Sequence, residues 1–193
     1  MTTDAAKLFI DESRSFLSSD YLPKIERCVE ALTDEDVWWR ADEGSNSIGN
    51  LLLHLEGSTR GWIINVTGGS DSPRDRAREF DEREPVPRAE LIARLKETLA
   101  EADEVLARLA PETLLERRKT QWEEVTVLWA VYHAVEHFAM HTGQIVLLTK
   151  SYAPDTIHFY DDSSGAARPL WGGSEGMPGA EVAGGSTPVQ NEV

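Results

Sequence analysis

Apolar residues recur along most of this chain at spacings of three, four and seven, the pattern of helices that each bury one face. Between Ala5 and Leu32 they fall at Phe9, Phe16, Leu17, Ile25, Cys28, Val29 and Leu32. Pro23 interrupts that run. A proline lacks the backbone donor and crowds the preceding turn, so the helix is expected to kink or split there. The stretch "TDEDVWW" offers Thr33 as an N-cap with Asp36 three residues on, which predicts a short helical turn carrying Trp38 and Trp39. A second long helix is expected to start at Asn46 or Ser47, either of which can cap it, and to stop at Gly68-Gly69. Leu91, Leu95, Leu99, Ala102, Leu106 and Leu109 form one stripe with charges opposite, predicting a third helix, and Thr126 can cap a fourth that runs to about Lys150.

The intervening segments read differently. Residues 70–87, "SDSPRDRAREFDEREPVP", are charged and proline-bearing, so a solvated surface connection with few core contacts is expected. "RRKTQWEE" reads as an extended connector. Beyond Tyr160 the chain turns to Gly, Ser, Ala and Pro, which predicts a flexible low-complexity tail over 161–193 behind a single domain over 1–160. Four long helices with no alternating strand pattern make this an all-α protein, a four-helix bundle.

Composition narrows the function classes. The 193 residues suit one domain, and no stretch approaches the roughly 20 apolar residues of a membrane span. The N-terminus lacks the basic and apolar regions of a secretory signal, so a cytoplasmic location is expected. A formal charge of -15 opposes nucleic-acid phosphates, so no nucleic-acid partner is expected. The single cysteine, Cys28, excludes an internal disulfide and a thiolate-only metal site, leaving His, Asp and Glu as ligands.

Imidazole then draws attention. "HAVEHFAMHTGQI" places His133, His137 and His141 four residues apart, in a chain with 5 histidines. At roughly 100° per residue they form one winding stripe on a helix that is apolar nearly all round, and so they point inward. On the second helix Asn50, His54, Ser58, Gly61 and Asn65 form a polar seam within an apolar surface. Buried polar groups need partners, and a hydrated metal cavity between the two helices would supply them. The plainer alternative is a set of hydrogen-bonded core histidines, and the spacing alone leaves it open. Three consecutive i, i+4 imidazoles cannot converge on one ion without strain, so His133 is expected to support rather than ligate. His158 is expected to be structural or exposed, and Trp38, Trp39, Trp62 and Trp122 to be core or pocket wall.

"NSIGNLLLHLEGSTRGWI" followed by "HAVEHFAMHTGQI" resembles the DinB/YfiT-like superfamily of metalloenzymes, in particular a bacterial branch of unknown function, over roughly residues 5–150. The resemblance implies an up-down-down-up bundle, possible homodimerisation, and a divalent ion, most often zinc or nickel, completed by water. His54 matches the ligand of the second helix, and His137 and His141 match the HxxxH before Gly143-Gln144. The family's frequent Arg before that Gly-Gln pair is Thr142 here. Three imidazoles plus water would also suit cobalt or iron.

Related members transfer low-molecular-weight thiols. The expected function is therefore metal-dependent S-transfer from such a thiol to a small-molecule substrate, with no membrane partner. Asn50, His133, Gln144 and Trp62 are second-layer or pocket candidates, and the electrophile is expected among Trp62, Phe138 and Met140. The alternatives are a metal-dependent hydrolase, for which Glu56 and Glu136 are available bases but project away from the ligand faces, and a non-catalytic metal- or ligand-binding bundle.

Overall fold

The computed structural model describes residues 2–120, 123–163, 165 and 167–171. Four helical rods carry the fold. The first is α1 (Thr3–Ser15), a π-helical turn over Phe16–Tyr21, and α2 (Leu22–Glu30). Pro23 neither splits nor ends this rod. The widened turn ahead of it, in which the Leu22 N–H bonds to the Leu17 carbonyl, absorbs the missing donor. Thr33 caps α3 (Asp34–Trp38) in a capping box with Asp36. The second rod is α4 (Ile48–Thr59), capped by Ser47 and continued by a π-helical stretch over Arg60–Thr67. The short α5 (Arg76–Asp81) precedes the third rod, α6 (Arg88–Ala107). The fourth, α7 (Val127–Tyr152), is capped by Thr126, whose hydroxyl accepts from the Trp129 N–H.

Cross-rod pairs give the directions. Glu56 meets Arg94 and Arg60 meets Glu101, so the second and third rods run parallel. Arg14 meets Asp103 and Glu26 meets Lys96, so the first runs against the third. Tyr21 stacks on Phe138 and the Cys28 thiol sits beside the Thr149 hydroxyl, so the first and fourth run together. Trp62 meets Trp129 while His54 meets His141, so the second opposes the fourth. The bundle is up-down-down-up, and its core is built from residues such as Ile25, Leu55, Ile63, Leu95, Val127, Phe138 and Ile145. No helix of the described residues is long and apolar enough to cross a membrane.

Two expectations need correction, and a third gains detail. The connector after α6 pairs with the cap of α7 as a small antiparallel hairpin, β1 (Arg117–Lys119) with β2 (Glu124–Thr126). Trp122 lies outside the described residues. Trp39 is not core: it is 43% exposed and leans on Tyr152, because the chain leaves α3 in an extended conformation that turns its side chain outward. Residues 70–87 are far from a bare solvated connection, since they hold α5, bury Glu79 and place the Val86 carbonyl on the Trp38 indole N–H.

The boundary expected after Tyr160 falls inside a second ribbon, β3 (Tyr160–Asp161) with β4 (Arg168–Pro169). Packing continues to Trp171, which is buried and donates its indole N–H to Asp20 at 2.8 Å while Lys24 lies over its ring. Arg27 fastens the same segment through the Leu170 and His158 carbonyls, and the His158 side chain is exposed. Residues 172–193 of the expected tail lie outside the described residues.

Candidate metal centre

Two helices bring three imidazoles to one point. His54 on α4 faces His137 and His141 on α7, and their ligand nitrogens all lie within 4.8 Å of one another. His137 Nε2 stands 3.0 Å from His54 Nε2 and 3.1 Å from His141 Nε2. The i, i+4 spacing sets His137 and His141 one above the other, and the antiparallel crossing of α4 puts His54 opposite both.

The outer nitrogens fix the inner ones. His54 Nδ1 lies 2.8 Å from Glu79 Oε2. Burial pushes the Glu79 carboxyl up, but its hydrogen bonds to His54 and Arg74, together with the Arg74 charge, outweigh that and hold it below the usual carboxylate range. An ionised carboxylate only accepts, so His54 Nδ1 carries a proton, and in the single-proton ring that leaves Nε2 as the lone pair facing the other two histidines. His141 Nδ1 donates to Gln144 Oε1 at 2.7 Å, so its Nε2 is bare as well. His137 sits between these two lone pairs with Ser58 Oγ 3.3 Å from its Nδ1. Burial, then the neighbouring histidines and Arg74, push the His137 imidazole down to about 3, and burial likewise lowers His141. A neutral His137 has one ring proton and cannot satisfy both facing nitrogens. Three imidazole nitrogens converging on one point fit a divalent cation, and nitrogen donors suit zinc, nickel, cobalt or iron alike.

The other expected residues fall around this group. His133 stays outside it, with Nδ1 3.2 Å from Glu136 and its ring stacked on Trp129 and edge-on to Trp62. Trp62 thus belongs to an aromatic wall beside His137. Phe138 does not join that wall: one residue on from His137, it is turned about 100° into the core. Met140 is exposed. Asn50 is buried and fully used, its Oδ1 accepting from Ser47 and Arg40 and its Nδ2 donating to the Glu79 and Glu82 carbonyls. Asn65 likewise grips both backbone groups of Ser72. The polar seam of the second rod therefore faces the three-histidine group only at His54 and Ser58, and its two ends bind the backbone of the 70–87 segment. Glu56 is held by Arg94 and Glu136 by His133, so neither is offered as a base.

The residues that sequence reasoning missed are Glu79 and Arg74. Glu79 is 7% exposed, with Arg74 Nε 2.7 Å from one carboxylate oxygen and Nη2 2.9 Å from the other. They lie against Gly57, where a Cβ would come within 2.0 Å of Glu79 Oε1, and against Gly61. A small-residue notch on α4, one turn beyond His54, was the available signal.

The family model for mycothiol-S-transferase matches residues 14–153. The chain belongs to this family. The matched span contains all three histidines together with Glu79, Arg74 and Gln144. Two solved structures share its fold. A DinB-like protein from Bacillus cereus is 15% identical, with a TM-score of 0.59, covering 79% of this chain and 95% of that one. A DinB-like protein from Bacillus subtilis is 19% identical, with a TM-score of 0.59, covering 78% and 97%. These place the mycothiol-S-transferase family chain in the DinB/YfiT-like superfamily. No curated protein sequence matches it.

Proposed function

We propose that this chain is a divalent-metal-dependent S-transferase that joins a low-molecular-weight thiol to a small electrophile, with His54, His137 and His141 as the metal ligands. The observation that carries the reading is the convergence of three bare or half-satisfied imidazole nitrogens, supported by the family to which the chain belongs. A bound ion of this type, held by three neutral ligands, would favour the thiolate form of a thiol and leave a position for it to occupy.

The protein's own contribution is to hold the three rings, exclude bulk water and present a wall. His54 and His141 are buried, while His137 is half-buried and gives the approach. Trp62, Trp129 and His133 stand beside it as an aromatic surface for an electrophile. The hydrolase alternative needs a general base, and among the described residues Glu56, Glu136 and Glu79 are each committed to another partner.

The test is consumption of mycothiol, bacillithiol, glutathione and coenzyme A by zinc- or nickel-loaded protein against chlorodinitrobenzene. Metal-dependent turnover with at least one thiol is expected. It should be abolished in His137→Ala and retained in His133→Ala, with bound metal following the same pattern. Turnover of a nitrophenyl ester with no thiol consumed would replace this reading by the hydrolase, and silence in both assays by the binding bundle.

A further inference from the structure

The segment that crosses α4 after the second rod does more than connect. Its Glu79 carboxylate lies with one oxygen on His54 Nδ1 at 2.8 Å and the other on Arg74 Nε at 2.7 Å, and Arg74 Nη2 returns to the first oxygen at 2.9 Å. Phe80 from the same segment leans on the His54 ring, with centroids 4.6 Å apart. The backbone of Glu79 is itself fixed, since its carbonyl accepts from Asn50 Nδ2 at 3.0 Å. Gly57 leaves the room the carboxylate occupies, as any side chain there would overlap it.

We propose that Glu79 and Arg74 are positioning residues that lock His54 as its Nδ1–H tautomer and aim Nε2 at the other two histidines, with Asn50 setting the height of the carboxylate along α4. This deepens the proposed function and rests on it for its purpose, though not for its geometry. The bidentate guanidinium cancels the carboxylate charge, so the pair orients His54 and strengthens it as a donor without adding a net negative charge beside the triad. It also restrains the carboxylate from turning inward to become a ligand.

The rival is that the pair merely pins the segment to the bundle. The Trp38 indole N–H, which holds the Val86 carbonyl of that segment at 2.9 Å, provides the control. Two readouts decide. In metal-free protein, long-range proton–nitrogen NMR of the histidine rings should show His54 protonated at Nδ1 in the wild type, and a loss of that single tautomer in Glu79→Leu. In competition with a chromophoric chelator, zinc should bind about 10- to 100-fold more weakly to Glu79→Gln than to wild type. Trp38→Phe should lower stability while leaving zinc affinity unchanged. A wild-type His54 protonated at Nε2 overturns the proposal, and so does zinc affinity that falls as much in Trp38→Phe as in Glu79→Gln. If the wild type binds no divalent ion, the proposed function fails, and the tautomer measurement still decides the role of Glu79 and Arg74.

Discussion

Two glycines inside helices of this bundle should respond to alanine with opposite signs. Gly143, on the exposed side of α7, has nothing beyond its own stretch of helix backbone within 4 Å of where a Cβ would stand. Replacing it removes backbone freedom from the unfolded chain and should stabilise the protein by about 1 kcal/mol. Gly57, within α4, carries the same intrinsic gain, but its Cβ would stand 2.0 Å from Glu79 Oε1 and 2.8 Å from Glu79 Cδ. The carboxylate must withdraw, losing its bond to His54 and disturbing the forked contact with Arg74. Hydrogen bonds to charged groups contribute roughly 1.5 to 3 kcal/mol each, and Arg74 can follow the carboxylate part of the way because it is partly exposed. A loss of about 2 to 4 kcal/mol set against a gain of about 1 leaves Gly57→Ala destabilised by roughly 1 to 3 kcal/mol. For a chain of this size that is a fall in melting temperature of roughly 2 to 12 °C. Urea and thermal unfolding of metal-free protein, followed by circular dichroism, measure both variants against wild type. If Gly57→Ala proved as stabilising as Gly143→Ala, the packing of Glu79 on α4 would be refuted, and the role assigned to it with it.

Other outcomes are open to similar measurement. Burial raises the Cys28 thiol from 9.0 to about 11. A raised folded pKa contributes stability that is complete below the unfolded value and disappears as pH rises through the folded one, so unfolding free energy should decline between about pH 9 and about pH 11, a component missing from Cys28→Ala. The same thiol should resist aromatic disulfide reagents at pH 8 until the protein unfolds; rapid labelling of native protein would contradict its placement. Trp171→Ala should cost about 3 to 5 kcal/mol, whereas Trp171→Phe, which keeps one aromatic ring but loses the indole N–H bond to Asp20 and the packing of the second ring, should cost about 1 to 3. A chain shortened after Tyr160 should melt well below the full one, and equal melting temperatures would show that the second ribbon adds nothing.

Much of the bundle is legible in the sequence because helices announce themselves through local spacing. Thr33, Ser47 and Thr126 cap where their side chains say they should, and the stripe from Leu91 to Leu106 faces the core as its period requires. The three-histidine group is legible for the same reason, since each helix carries its part of the site in register. What stays hidden depends on contacts between distant segments. Glu79 lies among charges in a stretch poor in apolar residues, where only the shape of α4 at Gly57 shows that one of those charges is buried. Asn50 and Asn65 look like pocket polar groups until the backbone they hold is seen. Trp171 is a single large aromatic in a run of small residues, and composition averages over the one side chain that anchors the segment.

The two asparagines on the second rod have a consequence for how this chain can vary. Surface connections usually accept inserted or deleted residues because nothing measures their length. Here Asn65 fixes Ser72 at one end, while Asn50, four turns away along the same rod, fixes Glu79 and Glu82 at the other. The span between those anchors is therefore matched to a length of helix. An exposed position within it, such as Ala77, is free to change identity. One residue added between Ser72 and Glu79 would instead carry the carboxylate past His54, so this connection is tolerant in composition and intolerant in length, the reverse of what its charged, proline-bearing sequence suggests.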